Sequence, residues 1–266
     1  MLKFLNRLGR GKAEASAFPP VAVTSRVYAI GDVHGRADLL LQLIEMILAD
    51  AVDMDTPPEV VFIGDYIDRG DQSYEVLELL STVADWAELV PIFLIGNHEE
   101  MMLDFLDQPD LGSRWLRNGG LQTLMSYGVT EFASLQDPHE LSRLRVQLME
   151  HLQPHLALLR SLALCHRNGN VFFAHAGADP RLGVDEQPRD TLLWGSPAFM
   201  KMPRNDGVWV CHGHTIVDHA SAAEGRIAID TGAFYSGRLT AVRLGTGLPK
   251  FLIAEEGDGG SSHSVS

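Results

Sequence analysis

The stretch EVVFIGDYIDRGDQSYEVLELL, residues 59–80, joins an apolar run to an amphipathic pattern. The run EVVFIG is typical of a buried strand, and SYEVLELL repeats apolar residues at helical spacing. Three aspartates and an arginine lie around the junction: Asp65, Asp68, Arg69 and Asp71. An acidic residue at a helix start caps free N–H groups and complements the helix dipole, which accounts for Asp71. Asp65 follows the strand directly, so capping explains neither Asp65 nor Asp68.

The same strand and helix unit occurs on both sides of this stretch. RVYAIGD precedes the helical pattern ADLLLQLIEMILAD, and VPIFLIGNHE follows the second helix, so the order is βαβαβ. This order predicts an α/β fold with parallel strands and right-handed crossovers. Each strand ends in Gly and a polar residue, at Gly31-Asp32, Gly64-Asp65 and Gly96-Asn97. Because ligands bind beyond the carboxyl ends of strands in open α/β sheets, these ends predict a site.

The rest of the chain predicts one domain with a helical cap. Residues 101–164 carry helical patterns such as WLRNGGLQTLMSYG and are interpreted as an insertion. Strand-like runs resume as NVFFAHAG, VWVCHGHT, RIAIDTGA and LTAVRL, which predict a second, partly antiparallel sheet. We therefore expect a single domain over residues 25–254. Residues 1–24 are expected to form a flexible basic tail, with a membrane-touching helix as the alternative, and residues 255–266 a disordered tail.

Composition excludes several classes of protein. The formal net charge of −14 argues against nucleic acid as a partner, because such binding neutralises phosphates with Lys and Arg. No apolar stretch approaches the roughly 20 residues that a transmembrane helix needs. The two cysteines, Cys165 and Cys211, are too few for a disulfide framework and are typical of a reducing compartment. We therefore expect a cytoplasmic protein.

Polar residues at the predicted strand ends form one set of candidate ligands. Taken singly, each would be an ordinary turn residue or a hydrogen-bonded histidine. Five Gly-flanked polar clusters, each after an apolar strand, together predict a metal centre. Mixed carboxylate, imidazole and amide ligands suit Mn, Fe or Zn, and a carboxylate on a central strand can bridge two ions. The set comprises Asp32, His34, Asp65, Asn97, His98, His175 and His214.

The motifs GDVHG, GDYIDRG, GNHE, HAG and GHT follow one another over residues 27–244. In this order they resemble the metallophosphoesterases, especially the bacterial and phage phosphoprotein phosphatases. The resemblance implies a sandwich of two mixed β-sheets flanked by helices, with a dinuclear metal centre at the strand ends. Manganese is the expected metal, with iron or zinc as alternatives. The first ion would be held by Asp32, His34 and Asp65, and the second by Asp65, Asn97, His175 and His214.

The resemblance also assigns roles to the remaining charged residues. Asp68 would keep His98 oriented and protonated, so that His98 donates a proton to the leaving oxygen. Arg69 would grip phosphate oxygens with its planar donor fork; an ion pair with Asp68 or Asp71 is the alternative. The implied activity is phosphomonoester hydrolysis by in-line attack of a metal-bridging hydroxide. The expected substrate is a phosphorylated protein or peptide, or a small phosphomonoester, with phosphoserine and phosphothreonine favoured and phosphotyrosine also considered.

Three alternatives accompany this interpretation. Branches such as cyclic-nucleotide phosphodiesterases and repair nucleases usually end in GHxH, whereas this chain has Ile216 there, with His212 and His219 out of register. The symmetrical bis(5'-nucleosyl)-tetraphosphatases share the metal motifs, but their second motif typically lacks an aspartate at the position of Asp68. A non-catalytic scaffold that binds metal and phosphoprotein is the third alternative. Between the first choice and the tetraphosphatases, the sequence DRG favours phosphomonoester hydrolysis.

Two departures from the family pattern leave a second phosphate-binding arginine unassigned. Related phosphatases have Arg before GNHE, where this chain has Ile95, and bacterial relatives often have Arg shortly after a Trp, where it has Trp194-Gly195-Ser196. The segment WLRNGG is expected either to shape substrate access or to pack in the core. The candidate arginines are Arg36, Arg181, Arg189 and Arg204.

Overall fold

Two five-stranded sheets form the centre of the computed structural model, which describes residues 18–257. The strands are β1 (Val27–Ile30), β2 (Glu59–Phe62), β3 (Val90–Phe93), β4 (Cys165–Asn168), β5 (Val171–Ala174), β6 (Trp209–His212), β7 (Ser221–Ala223), β8 (Arg226–Ala228), β9 (Arg238–Leu244) and β10 (Lys250–Glu255). The helices are α1 (Ala37–Ala51), α2 (Ser73–Val83), α3 (Asn97–Asp107), α4 (Gly112–Trp115), α5 (Leu121–Ser126), α6 (Pro138–Ser161), α7 (Arg189–Trp194) and α8 (Ala233–Ser236).

Both sheets are mixed. The first has the strand order β10-β9-β1-β2-β3, in which β1, β2 and β3 are parallel and β9 runs antiparallel to β1. The second has the order β4-β5-β6-β8-β7, with β5, β6 and β8 parallel and antiparallel strands at both edges. The predicted sandwich of two mixed sheets flanked by helices is therefore confirmed.

The strand β9 lies in a different sheet from the one predicted. LTAVRL was expected in the second sheet, but it pairs with β1 in the first, with Val27 opposite Leu244. The edge strands β4, β7 and β10 were not predicted at all. Periodicity within a segment shows that a strand is present, whereas its partner is chosen by long-range packing, so the sequence pattern could not place β9.

The first sheet is covered on both faces, which explains its continuous apolar runs. Successive side chains of a strand point to opposite faces. Val27 and Ala29 of β1 accordingly pack between the two sheets, against residues such as Phe173 of β5. Tyr28 and Ile30 point the other way, into the larger core beneath the helices.

The helices of that larger core follow from their amphipathic patterns. In α1 the buried residues recur at helical spacing, as Leu39, Leu40, Leu43, Ile44 and Ile47. The longest helix, α6, is capped by Asp137, whose carboxylate accepts the His139 N–H. Pro138 occupies the first helical position. Helices α3 to α6 lie within the predicted helical insertion of residues 101–164, except that α3 already begins at Asn97. Among the described residues, we find no helix with the length and apolar composition needed to cross a membrane.

Part of the expected N-terminal tail packs on the second sheet. The Phe18 ring lies edge-on to Trp209 at 5.1 Å, and the Trp209 indole N–H donates to the Pro19 carbonyl at 2.8 Å. The Ala22 N–H donates to Asn170 at 2.7 Å. The flexible tail predicted for residues 1–24 therefore does not include residues 18–24. Residues 1–17 and 258–266, which hold the rest of both predicted tails, lie outside the described residues.

Candidate metal centre

The predicted ligands converge at the carboxyl ends of the central strands. Asp32 follows β1, Asp65 follows β2, and Asn97 opens α3 just after β3. From the second sheet, His175 directly follows β5 and His214 follows β6. Because the parallel strands within each sheet end at the same edge, residues far apart in sequence meet there.

The backbone is strained at five residues of this loop cluster. A non-glycine residue with positive φ is uncommon, and such strain of about 1–3 kcal/mol per residue tends to cluster at functional sites. Among the described residues six non-glycine positions have positive φ, and only Glu224 lies outside the site. The strain therefore marks this loop cluster independently of any motif. The five at the site are His34 (45°), Asp65 (53°), Asp68 (72°), Arg69 (70°) and His214 (59°).

Glu99, which the sequence interpretation did not single out, anchors the loop after β2. Its buried carboxylate accepts N–H groups from Asp65 at 2.9 Å, Tyr66 at 2.8 Å and Gly96 at 2.9 Å. Burial raises the pKa of Glu99 to about 7, and the nearby charge of Asp65 adds to this. The last letter of GNHE was the available signal in the sequence, and its burial explains why the carboxylate accepts several hydrogen bonds.

Asp65 lies at the centre of the site. Its Oδ2 is 3.4 Å from Nε2 of His34, and its Oδ1 is 3.4 Å from Nε2 of His175. Two groups of possible ligands share Asp65, each with its ligand atoms within 4.8 Å of one another: one with His34 and His98, the other with His175 and His214. Each carboxylate oxygen thus faces a different group. This arrangement allows Asp65 to bridge two ions.

The two histidines nearest Asp65 direct their Nε2 atoms toward it. Nδ1 of His34 lies 2.9 Å from the Ile67 carbonyl, and Nδ1 of His175 lies 3.0 Å from the Ile63 carbonyl. A carbonyl only accepts, so each Nδ1 carries a proton and Nε2 is the nitrogen left to bind a metal, as in metal-ligating histidines. Burial lowers the pKa of His34 to about 3. For His175 burial acts in the same direction, but the charge of Asp65 outweighs it and raises the pKa to about 10.

Asp32 carries a buried oxygen that no described residue satisfies. Its Oδ2 accepts the His214 N–H at 3.0 Å, while its Oδ1 has no hydrogen-bond partner. Burial raises the pKa of Asp32 well above its usual range, with further contributions from the charges of Asp230 and Asp65. A cation would compensate both the orphaned oxygen and the buried charge. The donor set therefore fits a divalent metal centre.

Asn97 and His98 complete the candidate site. Oδ1 of Asn97 lies 2.8 Å from Nε2 of His175 and 2.8 Å from Nδ1 of His214, which places it in the second group. The first group was expected to consist of Asp32, His34 and Asp65. In the structure, the compact cluster of ligand atoms contains His98 in place of Asp32. Asp32 belongs to neither compact group, and its Oδ2 accepts the N–H of His214 from the second.

His98 and Asp68 form a buried pair held by the insertion. Nδ1 of His98 is 2.6 Å from Oδ2 of Asp68. The Trp115 indole N–H and the Thr123 hydroxyl also donate to the Asp68 carboxylate, at 2.9 Å and 2.6 Å. Although burial alone would lower the pKa of His98, the charges of Asp65 and Asp68 leave it raised. The segment WLRNGG thus packs in the core through Trp115 and at the same time holds a predicted site residue.

Arg69 lies over both histidines of the first group. Its Nη1 is 3.0 Å from Nε2 of His34 and its Nη2 is 3.0 Å from Nε2 of His98. Within residues 18–257 it forms no ion pair with Asp68 or Asp71, so that alternative is not observed. The guanidinium lies 5.1 Å from the centre of the Phe234 ring, a contact that no sequence pattern indicated.

Asp230 is a second buried acid that the sequence interpretation missed. It is 3% exposed, and its Oδ1 accepts the Gly232 N–H at 2.9 Å. Burial raises its pKa to about 6. The available signal was weaker than at the other strand ends: Asp230 lies two residues after β8, but Ile229 rather than a glycine precedes it.

The four candidate arginines are all engaged with carboxylates. Ile95 is buried, and the Trp194 indole N–H donates to Glu100 at 2.9 Å while Arg114 stacks on its ring. His212 is also buried, with Nδ1 3.0 Å from the Gly213 carbonyl, and belongs to neither ligand group. The carboxylate partners are Asp38 and Glu256 for Arg36, Asp179 for Arg181, Glu100 for Arg189 and Asp206 for Arg204.

Comparison with known proteins agrees with this geometry. Residues 25–218 match the family model of the calcineurin-like phosphoesterases. Serine/threonine-protein phosphatase 2 of Salmonella typhimurium is 28% identical over 225 residues, which cover 82% of this chain and 92% of that protein. An asymmetrical bis(5'-nucleosyl)-tetraphosphatase of Oceanobacillus iheyensis is 27% identical, with 82% and 88% covered. A symmetrical one of Coxiella burnetii is 30% identical, with 60% and 44% covered.

Solved structures show the same fold. One provisionally described as a diadenosine tetraphosphatase has a TM-score of 0.56 at 21% identity and covers 90% of this chain and 97% of its own. A serine/threonine phosphatase from Saccharomyces cerevisiae has a TM-score of 0.54 at 15% identity, with 87% and 80% covered. A cold-active protein tyrosine phosphatase reaches 0.52 at 20% identity, with 88% and 80% covered. At such identities the likeness concerns the fold alone.

Proposed function

Because the chain belongs to the calcineurin-like phosphoesterase family, we propose that it is a metal-dependent phosphomonoesterase, and specifically a serine/threonine protein phosphatase that could also accept phosphotyrosine. The relatives are named as phosphatases or tetraphosphatases, and their names differ in substrate. The choice among substrates rests on this chain's own residues. We place the protein in the cytoplasm, in keeping with its two free cysteines.

Six residues would hold two divalent ions, with manganese the expected metal and iron or zinc the alternatives. The first ion would bind Asp32, His34 and Asp65; the second would bind Asp65, Asn97, His175 and His214. When bound, such ions neutralise the charge of the phosphate and activate the attacking water. The orphaned Oδ1 of Asp32 supports this assignment, as do the Nε2 atoms of His34 and His175, which the Nδ1–carbonyl hydrogen bonds leave as the metal-binding nitrogens.

The chain itself binds the phosphate and supplies a proton. Arg69 presents its two Nη atoms on the side of His34 and His98, in the geometry of a fork that can grip two phosphate oxygens. Phe234 lies against the guanidinium and restricts its swing. His98, whose protonated form Asp68 stabilises, donates the proton to the leaving oxygen. Asp68 in turn cannot rotate freely, since Trp115 and Thr123 both bind its carboxylate.

The contact of 2.6 Å between Asp68 and His98 is the observation that carries the proposal. The side-chain oxygen of serine or threonine is a strongly basic leaving group, so its departure requires a proton. A nucleotide phosphate is a far weaker base and leaves without one. A histidine fixed by a buried aspartate, whose charge favours the protonated form, therefore suits a phosphomonoester better than a dinucleoside polyphosphate.

Dinucleoside tetraphosphate hydrolysis is the second candidate. It is supported by the Oceanobacillus relative, which spans the same share of this chain as the Salmonella phosphatase. The discriminating experiment measures kcat/KM with Mn²⁺ on a phosphothreonine peptide, p-nitrophenyl phosphate and diadenosine tetraphosphate. We expect the phosphopeptide to be preferred; a strong preference for the dinucleotide would overturn the proposal. Full metal occupancy without turnover on any phosphomonoester would instead support a non-catalytic scaffold.

A further inference from the structure

An open cavity of about 410 Å³ lies beside Arg69, between the insertion and the loop that carries Phe234. Two arginines, two side-chain amides, a glycine and an aromatic ring line it, and no carboxylate does. We propose that this cavity is a subsite for a second negatively charged group of the substrate, and that Arg117 is its specificity-determining residue. The lining residues are Arg69, Arg117, Asn118, Gly119, Gln122 and Phe234.

Charge distinguishes this cavity from the one on the other side of Arg69. The second cavity, of about 400 Å³, is lined by Asp38, Asp71 and Glu256 as well as Arg36. Arg36 is already paired with Asp38 at 2.6 Å and with Glu256 at 3.1 Å. An anionic substrate group would meet like charge there. An additional carboxylate or phosphate is therefore directed toward Arg117.

Arg117 is available to bind such a group. Its side chain is exposed, and within residues 18–257 it forms no ion pair and no hydrogen bond. Arg36 and Arg189, by contrast, are paired with Asp38 and Glu100. The chain has a net charge of −14, so carboxylates are in excess. Because the Arg117 guanidinium lines a cavity and has no carboxylate partner within residues 18–257, it can bind an anion there.

The backbone fixes Arg117 next to Arg69. The Arg69 N–H donates to the Gly119 carbonyl at 3.3 Å. Gly119 has a φ of 109°, and a Cβ there would lie 2.8 Å from the backbone nitrogen of Arg69. Only glycine permits so close an approach. The segment that carries Arg117 is thus pressed against the residue proposed to hold the phosphate.

The subsite rests on the proposed function only in that Arg69 holds the substrate phosphate. Its ligand is defined by chemistry, as an anionic group attached near that phosphate. In a phosphoprotein this is an acidic side chain beside the phosphorylated residue; in a nucleotide it is a further phosphate. Asn118 and Gln122 offer amide donors to either group.

The test measures inhibition, so that it does not depend on peptide turnover. Phosphonate analogues of a phosphothreonine peptide, with either Glu or Gln at the flanking positions, compete with p-nitrophenyl phosphate. For one added ion pair of about 1 kcal/mol, we expect the Glu peptide to have a Ki about fivefold lower. Arg117→Gln should abolish this ratio, and Arg117→Glu should reverse it in favour of a Lys-flanked peptide. Inorganic pyrophosphate and inorganic phosphate form a second pair of inhibitors. This pair tests whether the subsite binds a further phosphate, as it would in a nucleotide.

Arg167→Gln is the matched control. Arg167 is an exposed arginine on β4. Its partner in the sheet is Phe172, which lies near the end of β5 that is remote from His175. In this variant both Ki ratios should therefore stay at the wild-type values. The subsite is overturned if Arg117→Gln leaves both inhibitor ratios unchanged, or if Arg167→Gln lowers them equally. If the protein is not a protein phosphatase, the result is different: Arg117→Gln changes the Ki ratio of pyrophosphate to phosphate and leaves the Ki ratio of the peptides unchanged.

Discussion

The indole N–H of Trp115 contacts both carboxylate oxygens of Asp68, at 2.9 Å and 3.1 Å. Asp68 is fully buried, and its other donors are Thr123 and His98. A residue of the insertion therefore fixes the carboxylate that orients the proposed proton donor. The role of the insertion extends beyond covering the core.

Trp115→Phe removes this donor while it keeps an aromatic ring in the core. Loss of one hydrogen bond to a charged group, about 1.5 kcal/mol, corresponds to roughly a tenfold loss. We expect kcat/KM for a phosphothreonine peptide to fall by about that factor, and to fall less for p-nitrophenyl phosphate, whose leaving group needs little protonation. Trp209→Phe is the control, since it removes an indole donor bonded to Pro19 instead. Equal losses on both substrates would indicate a purely structural role.

His98→Ala tests the proton donor. Removal of a general acid lowers kcat by about 10²- to 10⁴-fold, and the loss should be largest for the phosphothreonine peptide. Both metal ions should remain, as measured by elemental analysis of the purified variant. Nε2 of His98 lies 3.9 Å from Oδ2 of Asp65, within the first group of ligand atoms. Loss of one metal equivalent would therefore make His98 a ligand and remove it from the role of acid.

Asp65→Asn tests the bridge. The carboxamide keeps the size of the side chain but loses the negative charge shared by both ligand groups, so occupancy of both metal positions should fall together. Metal content and calorimetric titration with Mn²⁺ measure this. Asp71→Asn is the control, because Asp71 lies two residues before α2, outside both groups; the N-cap is Gln72, so the capping role expected for Asp71 is not observed among the described residues. Two tightly held ions in the Asp65 variant would contradict the bridging assignment.

Glu140 predicts a stability loss at acid pH. Its carboxylate accepts hydrogen bonds from the Arg143 side chain and from the Ala133 N–H, and these lower its pKa to about 2 from 4.5. Because the folded pKa is below the unfolded one, this contribution is present above pH 4.5 and is lost as the pH falls toward 2. Thermal unfolding of the metal-free protein should show a smaller acid-induced decrease in Tm in Glu140→Gln than in the wild type. Identical pH profiles for the two proteins would refute the prediction.

The residues of the candidate site were predictable to the extent that they lie next to strand ends. Asp32, Asp65 and Asn97 follow apolar runs and a glycine, and the structure brings them together because parallel strands end at one edge. Asp230 also follows an apolar run, but Ile229 precedes it in place of a glycine, so the same pattern did not single it out. The helices of the first half were equally clear, since their apolar spacing is local to each segment.

Sequence by itself determined the α/β class, the polar clusters at the strand ends and the central position of Asp65, because these depend on short periodic patterns and on residues close together in the chain. Tertiary structure alone decided that β9 pairs with β1, that Trp115 and Thr123 hold Asp68, and that Phe234 lies over Arg69. Each of these contacts joins segments separated by many residues, and the packing of the core selects such partners. A pattern within one segment carries no record of that choice.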